Sequence, residues 1–314
     1  MKWVNIGTVE GFSLHSKFTT QVDKEMQYSS TTRYIVGDDG QNLTYKLPQT
    51  VTEAWVSFDV ALPEGTSRAR SGLMYAWGFD TNNDNDTVKL PCCLFDTNNG
   101  AQIQPKIGLG TYEARDRRGQ ILYDPDVTWD FRDKKPHNIE IHVKTGDKGR
   151  IDVWFDHKLS ISYRSPSAFP TNINYFKLRH AIGGTTFYFS SFILQDTRRI
   201  GYEKFVKLKI DPVTEQNMPQ GSTTTYTLSG LTDSSEFSDI TSVVAVLQAT
   251  SRDANITTGT YNLNGATVGT IDVSDSSGKA YEVAHAEVNN ITGLPFTRDD
   301  IEGQTLSFTV NGAE

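Results

Sequence analysis

The sequence predicts an all-β protein built as two domains. Three observations carry this prediction. Apolar residues recur at every second position between turn residues, no segment shows a sustained helical stripe, and the character of the chain changes close to residue 203.

The alternation is first clear where Ala54, Val56, Phe58, Val60 and Leu62 face one way and Trp55, Ser57 and Asp59 the other. Successive side chains of a strand point to opposite faces, so this is a half-buried strand. Ile139, Ile141 and Val143 repeat the pattern, and the chain turns through Thr145-Gly146-Asp147-Lys148-Gly149 before Ile151, Val153 and Phe155 return. A second turn at Asp156-His157-Lys158 leads into Leu159, Ile161 and Tyr163. Three antiparallel strands on tight turns form a meander, and a meander with one apolar face needs a second sheet to cover it. Tyr175 to His180 and the aromatic run from Phe187 to Leu194 read as further strands. One helical turn is expected after Pro295, where Thr297 and Asp300 have the spacing of a capping box.

Beyond Asp196-Thr197-Arg198-Arg199-Ile200-Gly201 the chain becomes poorer in aromatics and richer in Thr, Ser and Asn, which gives domains of 1–203 and 204–314. The second is expected to be a smaller β-sandwich or barrel. Its strands centre on Leu208, Tyr226 and Leu228, Tyr261 and Leu263, Ile271 and Val273, and Leu306 to Val310. The run Val243-Val244-Ala245-Val246-Leu247 reads as a central strand buried on both faces.

Thirty basic residues against 38 acidic ones give a net charge of −8, which argues against nucleic acid and anionic membrane surfaces as partners. No run approaches the ~18 apolar residues of a membrane span, and the opening residues lack the apolar core of a signal peptide. A soluble protein made in a cytosol is expected, without membrane insertion. Cys92 and Cys93 are adjacent and cannot staple distant segments, so two reduced thiols are expected.

At Lys135-Pro136-His137-Asn138-Ile139-Glu140-Ile141-His142-Val143, and again from Gly149 to Leu159, the chain resembles the laminin-G or concanavalin-A-like family, with Phe187 to Leu194 similar to its closing strand. The resemblance covers residues 1 to about 200 and implies a jelly-roll sandwich. Phe237 to Val246, Thr292 to Thr297 and Asp300 to Gly303 resemble a module that follows such jelly rolls in structural proteins of tailed bacteriophages. This implies a virion component, synthesised in the cytoplasm of a host bacterium, whose partners are other virion proteins, copies of itself and cell-surface polysaccharide.

The fold hosts lectins, enzymes and scaffolds, so function rests on the site. The glycan-cleaving enzymes of concanavalin-A-like fold that retain configuration need two carboxylates about 5 Å apart, commonly as Glu-x-Asp-x-x-Glu along one strand, and that motif is absent. Asp152 and Asp156 are its nearest approach, and the better reading of them is a solvated strand face with a turn residue. Gly-x-Ser-x-Gly, phosphate-loop and dinucleotide motifs are also missing, as are paired metal-ligating histidines. The expectation is therefore a protein that is not an enzyme. A glycan-binding lectin module is the alternative, and a glycoside hydrolase of this fold a further one. Trp154, on the outward face with Asp152, is the candidate sugar platform, with Tyr123, Trp129 and Trp77 as further rings. Asp80, Asn82, Asp84 and Asp86 place oxygen ligands at alternate positions and form a candidate calcium loop. Asn85 and Pro91 depart from the helix-loop-helix calcium pattern, so the same stretch also reads as an acidic hairpin.

Overall fold

The computed structural model describes residues 1–7, 9, 11–14, 18–22, 27, 33–37, 42–62, 75–81, 87–88, 90–95, 102–103, 105–109, 112–113, 120–123, 127–165, 172–179, 187–203, 208–211, 218–229, 239–249, 256–272 and 280–312. They fall into two units, Met1–Phe205 and Val206–Glu314, and no helix occurs among the described residues.

Unit 1 contains two large antiparallel sheets. The first runs in the order Lys158–Arg164, Arg150–Phe155, His137–Lys144, Glu53–Ala61, Phe187–Gln195, Arg33–Gly37 and Thr19–Val22, with Lys2–Asn5 also paired to Phe187–Gln195. The meander read from the sequence forms one end of it. Its last turn places Asp156 and His157 at φ 47° and 65°, the successive left-handed conformations of a tight hairpin whose twist matches the flanking strands. The second sheet runs Gln120–Tyr123, Lys106–Leu109, Leu90–Phe95, Tyr75–Asp80, Ile173–Arg179, Asn42–Val51 and Ser13–Leu14.

The inward faces meet in an aromatic core. Phe58, Phe187, Phe189 and Phe192 of the first sheet pack with Trp77, Phe79 and Phe176 of the second. Trp77 meets Phe58, Phe187 and Phe189 edge-on at 5.3–5.6 Å, the arrangement that ring quadrupoles favour. Phe189 and Phe192 both reach this core although three positions apart. A bulge between Ser190 and Ile193, with Ser191 at φ 58°, shifts the parity of the strand by one residue. Trp77 and Trp129 are core residues, so they are not the exposed rings the sequence offered.

Unit 2 has a sheet in the order Lys209–Asp211, Thr223–Ser229, Thr305–Gly312, Ile256–Leu263 and Ala266–Asp272. Leu228, Tyr261, Leu263, Val268, Phe296, Ile301, Phe308 and Val310 form its core. The expectation for the 243–247 run is corrected: Val243–Ala249 pairs only with Ala280–Ala286 among the described strands, and Val243 and Val244 are half-buried. An apolar run records hydrophobicity and not the number of neighbouring strands. The Thr297–Asp300 pair does close a single turn. Asp300 Oδ2 accepts from the Thr297 backbone N–H and hydroxyl, both at 2.7 Å, and the chain returns to strand at Thr305.

Two core substitutions test this packing. Phe58→Ala is expected to cost about 3–5 kcal/mol in chemical denaturation of unit 1. A Cβ at Gly259 would come within 2.2 Å of Phe308 Cζ, so Gly259→Ala is expected to destabilise unit 2 by about 1–3 kcal/mol while a unit 1 fluorescence transition stays in place.

Candidate functional site

Pleat parity sends Ile139, Ile141, Val143, Ile151 and Val153 into the core, and therefore sends Glu140, His142, Lys144, Asp152 and Trp154 to the opposite, outward face of the first sheet. The short turn after Lys144 fixes the register. Glu53, Lys144, Arg150 and Arg164 lie side by side on one rung across four strands, and Trp55, His142, Asp152 and Ser162 on the next.

Asp152 is fully buried at the centre of this patch. Its carboxylate accepts from Ser162 Oγ at 2.6 Å and Arg164 Nη1 at 3.2 Å, faces His142 Nδ1 at 3.0 Å, and pairs with Arg150 Nε. Burial alone would raise its pKa. The hydrogen bonds from His142, Ser162 and Arg150, with the charge of Arg150, outweigh burial and hold it well below the ordinary carboxylate range. His142 Nε2 lies 3.0 Å from Glu53 Oε1, and the His142 ring stacks on Trp55 with centroids 4.3 Å apart and planes 8° from parallel.

A second fully buried carboxylate, Glu140, holds the chain where it leaves the sheet. It accepts from Ile200 N at 2.8 Å, Gly201 N at 3.3 Å and Arg199 Nε at 3.2 Å. Arg199 is thereby laid over Trp154, its guanidinium carbon 4.4 Å from the ring centroid. Tyr202, the next residue but two after Arg199, is 79% exposed and packs against His157 with ring centroids 4.5 Å apart.

His137 forms a third polar group at the start of its strand. Nδ1 lies 2.7 Å from Asp156 Oδ2 and Nε2 lies 3.0 Å from Asp133 Oδ1, while the ring stacks on Phe155 at 4.9 Å. Burial would lower its pKa, but hydrogen bonds and charge from both aspartates prevail and raise it above 6.5. Arg132, which precedes Asp133 in the chain, is paired with Asp130, and a shallow open depression is lined by Asp130, Arg132 and Asp133. Both ring nitrogens are engaged by these carboxylates, so His137 ties the start of its strand to the turn at Asp156 and to Asp133.

The predicted site residues are thus dispersed. Asp152 and Trp154 share the outward face as expected, but neither presents a contact surface: Asp152 is saturated by donors, and Trp154, 8% exposed, has Arg199 across its ring. Tyr123 lies on the other sheet, in register with Lys106. Of the calcium candidates, Asp80 ends a strand, is fully buried and accepts from the equally buried Lys177 Nζ at 2.9 Å, which takes this residue away from a loop ligand set. An ammonium occupies the carboxylate that was to bind the ion. Asn82, Asp84 and Asp86 lie outside the described residues, and Cys92 and Cys93 lie in the Leu90–Phe95 strand. Trp55, Lys144, Arg150, Arg164 and Tyr202 went unrecognised as site residues. Counting outward from the Gly146–Gly149 turn gives the Lys144–Arg150 and His142–Asp152 pairs, so part of this patch carried a signal.

No protein-family model matches the chain, and no curated protein sequence matches it. Among solved structures it is similar to an endo-β-1,4-glucuronan lyase from the fungus Trichoderma reesei, at 13% identity and a TM-score of 0.44, over 62% of this chain and 95% of that one. It is also similar to the alginate lyase Aly36B, at 13% identity and a TM-score of 0.40, over 63% and 98% of the two chains. A carbohydrate esterase from the Shiga toxin-encoding bacteriophage phi24B follows at 12% identity and a TM-score of 0.40, over 62% and 97%. The expectation of a protein that is not an enzyme is overturned here, because the structures it resembles include these lyases and this esterase. The paired-carboxylate motif whose absence supported that expectation belongs to retaining glycoside hydrolysis, and other carbohydrate chemistry does not require it.

Two measurements probe the polar groups. Asp152→Asn leaves Arg150, Arg164 and His142 without their common carboxylate and is expected to cost about 2–3 kcal/mol in urea denaturation. The folded pKa of His137 is raised, so its stabilisation is complete below about 6.5 and is lost as pH climbs through the higher folded value. The melting temperature is expected to fall across that window, and His137→Gln to flatten the fall.

Proposed function

We propose that this chain is a carbohydrate-active protein of a bacteriophage particle, and that its jelly-roll unit holds glycans on the outward face of the first sheet. The observation that carries this reading is a pair of aromatic rings fixed on that face. Trp55 is half-buried against His142, and Tyr202 stands exposed against His157. A flat ring offers apolar area to the C–H face of a sugar, and one backed by a second ring loses little freedom when the sugar arrives. The buried carboxylates Asp152 and Glu140 serve this arrangement by anchoring the strands and the exit segment that carry the rings. Asp156 adjoins His157 in the chain and pairs with His137, which steadies the turn on which the Tyr202 end of the face rests.

Placement on a particle is supported by the likeness of the 237–246 and 292–303 segments to phage structural modules. The partners proposed with it are neighbouring virion proteins, copies of this chain and bacterial surface polysaccharide. The site lies in unit 1, leaving unit 2 for attachment to the particle.

The purified protein is expected to bind glycans saturably on an array, with Trp55→Ala and Tyr202→Ala each weakening binding about ten-fold or more while melting temperatures stay close to the parent. Incubation with host polysaccharide, followed for new reducing ends, unsaturated uronates and released acyl groups, identifies the reaction. Binding unaffected by both substitutions would remove this face from the proposal, and absence of the chain from purified virions by mass spectrometry would remove the particle.

A further inference from the structure

The rung formed by Glu53, Lys144, Arg150 and Arg164 runs against two physical tendencies. Like charges directly opposite one another on neighbouring strands destabilise a sheet, yet Lys144 faces Arg150 and Arg150 faces Arg164. A chain with net charge −8 has nonetheless gathered three cations on three successive strands. The compensating anions are set back from the surface. Asp152 is fully buried, and the Glu53 side chain is 29% exposed, whereas Lys144, Arg150 and Arg164 are 52%, 39% and 54% exposed. Three cations above two carboxylates leave a positive outward side.

The geometry also leaves donors available. Arg150 reaches Asp152 through Nε and Arg164 through Nη1, so each guanidinium commits one nitrogen to Asp152 out of a group carrying five N–H donors. Asp152 holds both guanidinium groups in place before any ligand arrives, which reduces the entropy lost on binding. Trp55 lies on the adjoining rung, two residues along its strand from Glu53. A ligand that places a ring on Trp55 thus carries its anionic substituents over the cations.

We infer that this rung and Trp55 form a binding site for the acid groups of a polyanionic glycan, carboxylate or sulfate. The inference rests on the glycan reading given above and names the class of glycan. A guanidinium matches the two oxygens of either group in a forked geometry, and Lys144 adds a point charge.

The test is calorimetric titration of the full chain at low ionic strength with four probes: oligogalacturonate, its carboxyl-reduced counterpart, dextran sulfate and dextran. At least one acidic probe is expected to bind about ten-fold more tightly than its neutral counterpart, with the preference falling as salt is added. The Arg150→Gln, Arg164→Gln double variant is expected to lose that preference. Lys144→Gln, which leaves every Asp152 contact in place, is expected to reduce it about three-fold and keeps the test decisive if the double variant does not fold. A stronger response to oligogalacturonate assigns the site to carboxylates, and one to dextran sulfate assigns it to sulfates. Equal binding of acidic and neutral probes overturns the acid-group assignment while the glycan reading stands. No binding of any probe here, with a silent glycan array, overturns both.

Discussion

A carboxylate taken out of water must be surrounded by donors, and unit 1 places two such groups on the outward side of one sheet. Asp152 and Glu140 have no accessible surface, and leaving either unpaired would cost several kcal/mol. Donors come to Asp152 from the strands on both sides and to Glu140 from the segment that follows the last strand. These demands constrain the meander on its outer side, as the aromatic core does on its inner side. The rings proposed to meet a sugar stand where they do because these acids hold their supports.

The sandwich was legible because both of its determinants are local. Alternation assigns each side chain to a face, and the turns at 145–149 and 156–158 set register without reference to anything distant. The apolar outcome at Val56, Phe58, Ile141 and Val153 follows from that alone. Ser191 was not legible: a single left-handed residue inside an aromatic run changes which of its rings face inward, and no composition signal separates it from a regular strand.

The site was harder to read for the same physical reason. Alternation tells which residues face outward, but facing outward is not the same as being solvated. Trp154 is outward and covered, because the 198–203 segment folds back over it through a contact 59 positions away in sequence, from Arg199 to Glu140. Asp80 was placed in an acidic loop and instead ends a strand facing a lysine 97 positions away. Long-range pairings of this kind leave no short motif, whereas the cation rung arises from strands joined by tight turns and was within reach of register counting.

The pairing of the first strand with the last has a mechanical side. Lys2 lies opposite Gln195 and Asn5 opposite Phe192, so the chain enters and leaves this pair at the same end. Tension applied to unit 1 through its two ends peels the strands apart, one backbone bond at a time, instead of shearing them all together. Resistance to such a pull falls first on the ionic clasp ahead of the peel, where Lys2 grips Glu203 and Arg199 and the Ile200 amide grip Glu140. Under load the jelly roll is thus expected to open like a zip whose first catch is made of charges.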